Sequence, residues 1–261
     1  MAEASRVGIS TASFFPHLLT EEAVEAAARL GFAVLELFLQ AEAEYAPSFG
    51  SELARRARDT GVRIHSLHLF ATLFDLWSPY RRVYDESRDR YLRTLEIANR
   101  VGATALTWHG LRYQLDNPLW VEPFLESTLW AAQKADEAGL LLCIENVSWC
   151  YLRRTEHVER LKALPVPIGF TFDPFHAAEA GDTPEAVARA MGSRMHTTHI
   201  SDYRRGGPRH LPPGEGELDW ETIAAALREI DYRGPLILEV TAVRDERRLL
   251  QARDFLLRWA V

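Results

Sequence analysis

The sequence has few cysteines and no long apolar run, and each absence excludes a class of protein. Cys143 and Cys150 are its only cysteines, too few and too close together to resemble the disulfide framework of a small secreted fold. No apolar run approaches the roughly 18 residues that span a membrane, and the opening MAEASRVGIS lacks the basic and then apolar pattern of a signal peptide. We therefore predict a cytoplasmic protein with free thiols and no membrane partner.

Basic residues are outnumbered by acidic ones, 30 lysines and arginines against 37 aspartates and glutamates. The formal net charge is -7, which disfavours a surface built to neutralise the phosphates of nucleic acid. The apolar fraction of 47% and the charged fraction of 26% are ordinary for a globular protein, and no biased tract indicates disorder. We expect a folded protein that does not bind nucleic acid.

Short β-branched apolar runs alternate with longer amphipathic segments along the chain, which is the rhythm of repeated βα units. The predicted strands are Val7–Ser10, Ala33–Phe38, Val62–His68, Ala105–His109, Leu140–Glu145, Ile168–Asp173, Met195–Ile200 and Leu236–Val240. Segments with apolar residues at helical spacing are Glu21–Leu30, Ser51–Thr60, Tyr84–Val101, Leu119–Ala138 and Trp220–Ile230. Glycine, which is favoured just past a helix end, follows several of them.

Eight such units in 261 residues predict a single (β/α)8 TIM barrel domain over residues 1–261, with a parallel eight-stranded core. A doubly wound open sheet also alternates strand and helix and also binds ligands beyond the carboxyl ends of its strands. After the first strand, however, the chain reads GISTAS over residues 8–13, which offers no Gly-x-Gly turn to a nucleotide pyrophosphate. The barrel is therefore preferred.

Titratable residues stand at the carboxyl ends of seven of the eight predicted strands, although parallel strands buried on both faces are normally apolar. They are Glu36, His68, His109, Glu145, Asp173, His199 and Glu239. Strand side chains alternate between two faces, so small residues two positions earlier share a face with the polar groups, whereas bulky neighbours such as Leu67 and Trp108 face the helices. The polar groups are expected to converge in the barrel mouth, where barrel active sites lie.

Four of these residues form a predicted metal site: Glu145, Asp173, His199 and Glu239. Three carboxylates in a dry barrel repel one another unless a cation neutralises them. Carboxylate-rich ligation with one imidazole suits a divalent ion, whether Mn²⁺, Mg²⁺, Co²⁺ or Zn²⁺. Taken alone, Asp173 before Pro174 is also explained as a helix N-cap with proline at the first helical position. The joint occurrence at strand ends favours the metal site.

Five motifs occur in order along nearly the whole chain. They are GFAVLEL at residues 31–37, IEN at 144–146, DPFH at 173–176, HISD at 199–202 and LPPGEGELDW at 211–220. Each is weak alone, but the ordered set resembles the xylose isomerase-like barrel superfamily. That superfamily includes sugar isomerases, ketose 3-epimerases, hydroxypyruvate isomerases and the endonuclease IV group.

The sugar-active branch of this resemblance implies specific roles. Glu145, Asp173, His199 and Glu239 would be the ligands of one divalent metal, and Glu145 and Glu239 would also be the catalytic acid and base. His176 resembles the substrate-contacting histidine of that branch. Proton transfer between the two glutamates through an enediolate would make the chain a sugar, sugar phosphate or hydroxy-keto acid isomerase or epimerase.

The endonuclease IV branch is the alternative, a trinuclear zinc phosphoesterase acting on abasic DNA. Its ligand pattern additionally covers His68, His109, His176 and His210 in this sequence. Pro208 stands where that pattern has an aspartate, and proline cannot bind a metal, which disfavours the nuclease. If the chain belongs to the sugar-active branch, these four histidines are expected to contact substrate instead. A third alternative is a barrel that binds a polyol without turning it over, since a fold does not prove catalysis.

Further substrate contacts are predicted at the mouth. Glu36 ends a strand there, and Trp77 lies in the apolar segment 69–79, which we interpret as a lid over a sugar. The alternative for such exposed aromatics is packing against a second copy in a homo-oligomer. Arg209 follows the seventh strand together with Arg204 and Arg205, and guanidinium groups suit the oxygens of a sugar phosphate.

Overall fold

A computed structural model describes residues 6–112, 117–241 and 245–259 of the chain. The other residues of the predicted 1–261 domain lie outside the described part. Eight strands pair in parallel in chain order and close into a barrel, so the predicted (β/α)8 TIM barrel is confirmed. Cys143 and Cys150 are free and buried, as expected.

The eight strands have nearly the predicted bounds. They are β1 (Val7–Ser10), β2 (Val34–Leu39), β3 (Arg63–Leu69), β4 (Ala105–Trp108), β5 (Leu141–Glu145), β6 (Gly169–Phe172), β7 (Met195–Ile200) and β8 (Leu236–Leu238). Between β1 and β8 the sheet closes through the pairs Val7 with Leu236 and Ile9 with Leu238. The carboxyl ends of all eight strands therefore form one rim.

Helices cover the outside of this barrel. In the described part they are α1 (Thr20–Arg29), α2 (Pro47–Thr60), α3 (Arg81–Val101), α4 (Pro118–Glu137), α5 (Thr155–Lys162), α6 (Pro174–Glu179), α7 (Pro184–Met191), α8 (Trp220–Glu229) and α9 (Glu246–Leu257). Gly61 and Gly102 end α2 and α3 at φ of 74°, a left-handed conformation that costs glycine little. No helix in the described ranges is long and apolar enough to cross a membrane.

The strands separate bulky and polar side chains as the alternation predicts. Leu67 and Trp108 are buried, and the Trp108 ring packs against Phe124 of α4 with centroids 5.8 Å apart. On the other face, the Ser66 hydroxyl donates a hydrogen bond of 2.8 Å to Glu36 across β2 and β3. Apolar packing therefore lies between strands and helices, and the barrel interior is polar near its carboxyl end.

Two register irregularities lie four strands apart in the ring. His65 is the extra residue where β3 pairs with β2, and His196 is the extra residue where β7 pairs with β6. The two rings stack with centroids 5.2 Å apart and an interplanar angle of 18°. Because β3 and β7 stand on opposite sides of the ring, this contact spans the barrel at the amino-terminal ends of its strands.

The apolar segment after β3 is packed into the protein. Phe74 and Leu76 are fully buried, and the carbonyl of Leu76 accepts a hydrogen bond of 2.6 Å from the Ser127 hydroxyl of α4. The ring of Trp77 packs against Trp108 with centroids 5.8 Å apart. The segment is therefore packed against β4 and α4 in this structure, and its role as a lid stays a prediction.

Candidate metal centre

The four predicted metal ligands meet at the carboxyl end of the barrel. Glu145 is the last residue of β5, His199 lies on β7, and Asp173 and Glu239 directly follow β6 and β8. Each offers one donor atom, and these atoms all lie within 4.8 Å of one another. All four residues are buried, so the structure brings the predicted set together.

The imidazole of His199 lies among three carboxylates. Its Nδ1 is 3.0 Å from Oε1 of Glu145 and 3.2 Å from Oε2 of Glu239. Its Nε2 is 2.8 Å from Oε1 of Glu36. Since Nδ1 faces the two glutamates of the cluster, it is the nitrogen positioned to ligate a shared cation.

Asp173 is both a helix cap and a candidate ligand. Its Oδ1 accepts a hydrogen bond of 2.9 Å from the backbone N–H of His176, at the N-cap of α6. The Asn146 side chain donates a hydrogen bond of 2.7 Å to the backbone carbonyl of Asp173 and accepts one of 2.8 Å from its backbone N–H. The other carboxylate oxygen, Oδ2, is buried and makes no hydrogen bond to any described residue. One oxygen therefore caps the helix while the second remains available to a cation.

A second cluster shares Glu145. His68, His109 and Glu145 offer donor atoms within 4.8 Å of one another. Nε2 of His109 lies 3.0 Å from Oε2 of Glu145 and 2.9 Å from Nε2 of His68. The two histidines that the sequence offered as substrate contacts thus lie beside the first cluster in an arrangement that also fits a cation.

Glu36 lies deeper than the sequence suggested. Its side chain is fully buried, and its Oε2 accepts hydrogen bonds from Ser66 at 2.8 Å and Thr107 at 3.2 Å. Its Oε1 faces His199 and, at 3.5 Å, Nδ1 of His68. Protein groups therefore surround both oxygens, and the substrate contact of Glu36 stays a prediction.

His176 and His210 form a second pair of rings, 5.5 Å apart. Nδ1 of His176 lies 3.2 Å from the Ser148 hydroxyl and 3.6 Å from Oε2 of Glu179. His210 adopts a left-handed φ of 47°, and its ring contacts Phe175 at 4.8 Å. These contacts fix the orientation of both imidazoles.

Arg209 is at the surface of this second group. Its side chain is 56% exposed, and its guanidinium forms an ion pair with Glu179. Arg204 donates instead to the backbone carbonyl of Glu215, at 3.0 and 3.1 Å. The arginine loop therefore reaches the site through Glu179, whereas Trp77 packs away from the carboxylate clusters.

One buried aspartate holds the loop after β7. Oδ2 of Asp202 accepts hydrogen bonds from the backbone N–H of Gly214, at 3.0 Å, and from Nε1 of Trp220, at 2.9 Å. Gly216 approaches so closely that a Cβ there would lie 2.1 Å from Oδ1 of Asp202. The HISD and LPPGEGELDW motifs are thus one structural unit, and it fixes the base of the loop that carries Arg209 and His210.

The electrostatics of the cluster follow from burial and close opposite charges. Burial raises the pKa of Glu145, but His199 and His109 outweigh burial and hold that pKa well below its ordinary value. Burial lowers the pKa of His199, but the surrounding glutamates outweigh it and raise that pKa well above its ordinary value. Burial raises the pKa of Asp173 to about 7. A protonated His199 thus balances the carboxylates, a role that a divalent cation would assume on binding.

Two polar contacts of the site were missed by the sequence analysis. Ser148 and Glu179 both contact His176. Glu179 stands three residues after His176 on α6, a spacing at which helix side chains meet, so this contact had a local signal. Ser148 lies in the loop after β5, where no periodicity indicated its direction.

The residues present fit a divalent cation. The donor set is three carboxylates and one imidazole, which matches the oxygen and nitrogen preference of Mn²⁺, Mg²⁺, Co²⁺ and Zn²⁺. The unpaired Oδ2 of Asp173 supplies an orphaned buried acceptor of the kind that a cation satisfies.

Comparisons with known proteins place this arrangement in a family. D-psicose 3-epimerase of Ruminiclostridium cellulolyticum is 25% identical over 228 residues, covering 83% of this chain and 76% of that protein. A probable endonuclease 4 of Mycobacterium marinum is 27% identical over 237 residues, covering 85% of this chain and 90% of that protein. A crystal structure of D-psicose 3-epimerase in the presence of D-fructose superposes with a TM-score of 0.83 at 19% identity, covering 97% of this chain and 98% of the other. The model of the xylose isomerase-like TIM barrel family matches residues 24–259, and the chain belongs to that family.

Proposed function

We propose that this protein is a divalent-metal-dependent sugar isomerase or epimerase that transfers a proton next to a carbonyl. The observation that carries the proposal is that Glu145 and Glu239, on strands three apart in the ring, face the same nitrogen of His199 at 3.0 and 3.2 Å. Two carboxylates around one cation site are what a proton removal and a proton return require. The named epimerase among the relatives supports a sugar substrate.

Glu145, Asp173, His199 and Glu239 would hold the metal ion. When bound, the ion would polarise the substrate carbonyl and acidify the adjacent C–H bond. Glu145 or Glu239 takes the carbon-bound proton, and the other returns a proton to the substrate. Return to the same carbon from the opposite side inverts the centre, whereas return to the neighbouring carbon interconverts aldose and ketose.

His176 and His210 are proposed to contact substrate hydroxyls beside the metal ligands. His176 is anchored by Ser148 and Glu179, and the His210 ring packs on Phe175. Imidazoles held in this way position a polar substrate without spending its binding energy on ordering the site. His68 and His109 line the same interior and are proposed as further hydroxyl contacts.

Deuterium exchange tests the proton transfer. Wild-type protein with Mn²⁺ should wash deuterium from D2O into a carbon-bound position of a ketose, and Glu239→Gln should lower this exchange by about 100-fold or more. The variant keeps an oxygen ligand, so it should still bind Mn²⁺. Arg233→Gln is a matched control, because Arg233 is exposed and pairs with Asp231 outside the site. Full exchange by Glu239→Gln would refute the mechanism.

One observation favours a second function, a multinuclear phosphoesterase. The His68, His109 and Glu145 cluster offers a second cation site that shares a glutamate with the first, as two-metal phosphoryl chemistry requires. Pro208 and the net charge of -7 argue against it. Metal analysis separates the two: about one ion per chain favours the isomerase, and two or three ions with cleavage of abasic DNA favour the phosphoesterase.

A further inference from the structure

Glu36 is a buried carboxylate for which the proposed proton transfer has no use. Its side chain is fully buried, and both of its oxygens face protein side chains. A charged carboxylate in a barrel interior costs free energy unless it is paired, and an apolar residue would fill this strand position without that cost. We therefore expect the Glu36 carboxylate to have a role among the side chains of the site itself.

The two oxygens of Glu36 have different neighbours. Oε2 accepts hydrogen bonds from Ser66 at 2.8 Å and Thr107 at 3.2 Å, which fix the rotation of the carboxylate. Oε1 is thereby turned towards two imidazoles, 2.8 Å from Nε2 of His199 and 3.5 Å from Nδ1 of His68. Glu36 thus touches one histidine of each of the two clusters that share Glu145, and its own donor atom lies within 4.8 Å of those of His68, His199 and Glu239.

We propose that Glu36 is a positioning residue that sets which nitrogen of His199 and of His68 carries hydrogen. When a cation takes the place of the hydrogen on Nδ1, the hydrogen that His199 keeps resides on Nε2, 2.8 Å from Oε1 of Glu36. Nδ1 is the atom that faces Glu145 and Glu239. The proposal rests on the metal dependence inferred above and adds that Glu36 prepares His199 to be a neutral ligand.

The same argument applies to His68. With its hydrogen on Nδ1, beside Glu36, its lone pair lies on Nε2, which is 2.9 Å from Nε2 of His109 and 3.6 Å from Oε2 of Glu145. One carboxylate beneath the site therefore orients an imidazole in both clusters. Removing a partner that orients a ligating histidine in this way typically weakens metal affinity by about 10- to 100-fold.

The test is the affinity for Mn²⁺, measured by calorimetric titration on metal-free full-length protein. Glu36→Gln keeps an acceptor without the charge, and Glu36→Leu removes both, so we expect affinity to fall in the order wild type, Gln, Leu, by about 10- to 100-fold overall. Thr197→Val is the matched control. Thr197 is a buried β7 residue two positions before His199, and its hydroxyl has no hydrogen-bond partner among the described residues. The affinity of Thr197→Val for Mn²⁺ should therefore equal that of wild type.

The second readout is the coupling of the remote imidazole nitrogen in pulsed EPR of the Cu²⁺-loaded protein. A purely structural role of Glu36 would leave this coupling unchanged. This signal should change in Glu36→Gln and remain unchanged in Thr197→Val. Wild-type affinity in both Glu36 variants, or equal weakening in Thr197→Val, would overturn the proposed role of Glu36 and leave the proposed function standing. If wild-type protein binds no divalent ion, the proposed function fails as well, so the two failures are distinguishable.

Discussion

Replacing His65 by Phe should make the protein less sensitive to mild acid. His65 is buried, because it is the extra residue of an irregular pairing and stacks on His196 at the floor of the barrel. Burial, His196 and Arg63 lower its pKa to about 4, and Nη1 of Arg63 lies 3.5 Å from its Nδ1. The folded protein therefore resists protonation of this ring.

The magnitude follows from linkage between proton binding and folding. In the unfolded chain the pKa of a histidine is about 6.5, so between pH 6.5 and 4 the unfolded state binds more protons at this residue. The free energy of unfolding consequently falls as the pH falls through that window. Between pH 7.5 and 4.5 the loss attributable to His65 is about 2.5 kcal/mol.

Urea denaturation of wild type and His65→Phe at half-unit pH steps measures this loss. Phe preserves a planar ring for the stack but cannot bind a proton, so the difference in the free energy of unfolding should shift in favour of the variant by about 2.5 kcal/mol as the pH falls. Carboxylates that titrate over the same range are present in both proteins and largely cancel. A difference that is independent of pH would refute the argument that burial holds His65 neutral.

Two further predictions concern the site. Mn²⁺ at 100 times its dissociation constant should raise the free energy of unfolding by about 2.7 kcal/mol. Asp173→Ala should abolish this gain, because it removes the unpaired Oδ2. Thermal denaturation of both proteins with and without EDTA measures the gain, and a metal effect that persists in the variant would contradict the ligand assignment. Arg209→Ala should raise the KM for a sugar phosphate far more than that for the free sugar if Arg209 binds phosphate, and steady-state kinetics with equal increases would exclude that contact.

The sequence was sufficient to predict the barrel because its strongest signal is local. Short apolar strands that alternate with amphipathic helices determine the fold class, and β1 and β7 have the predicted bounds. Of the helices that were not delimited, α6 spans six residues, too few for helical periodicity to be visible, whereas α9 spans twelve and was long enough to show it.

The site was predictable as a set of strand ends but not as a set of contacts. Strand alternation predicted that Glu145 and His199 point inwards, and both do. It could not predict that Glu36 of β2 meets His199 of β7, since that contact depends on closure of the ring and on the register between distant strands. The surface that Trp77 covers was not predictable, because an apolar loop predicts burial without indicating what it packs against.

The loop after β7 is closed at its base, so its length and sequence can change without moving the metal ligands. The backbones of Asp202 and Leu211 exchange hydrogen bonds of 2.7 Å in both directions, so residues 203–210 leave and re-enter the fold at one fixed point. Lengthening or shortening such a loop costs little free energy. Substrate preference can therefore diverge through insertions, deletions or randomised libraries in residues 204–208, while His199 and the chemistry it supports remain unchanged.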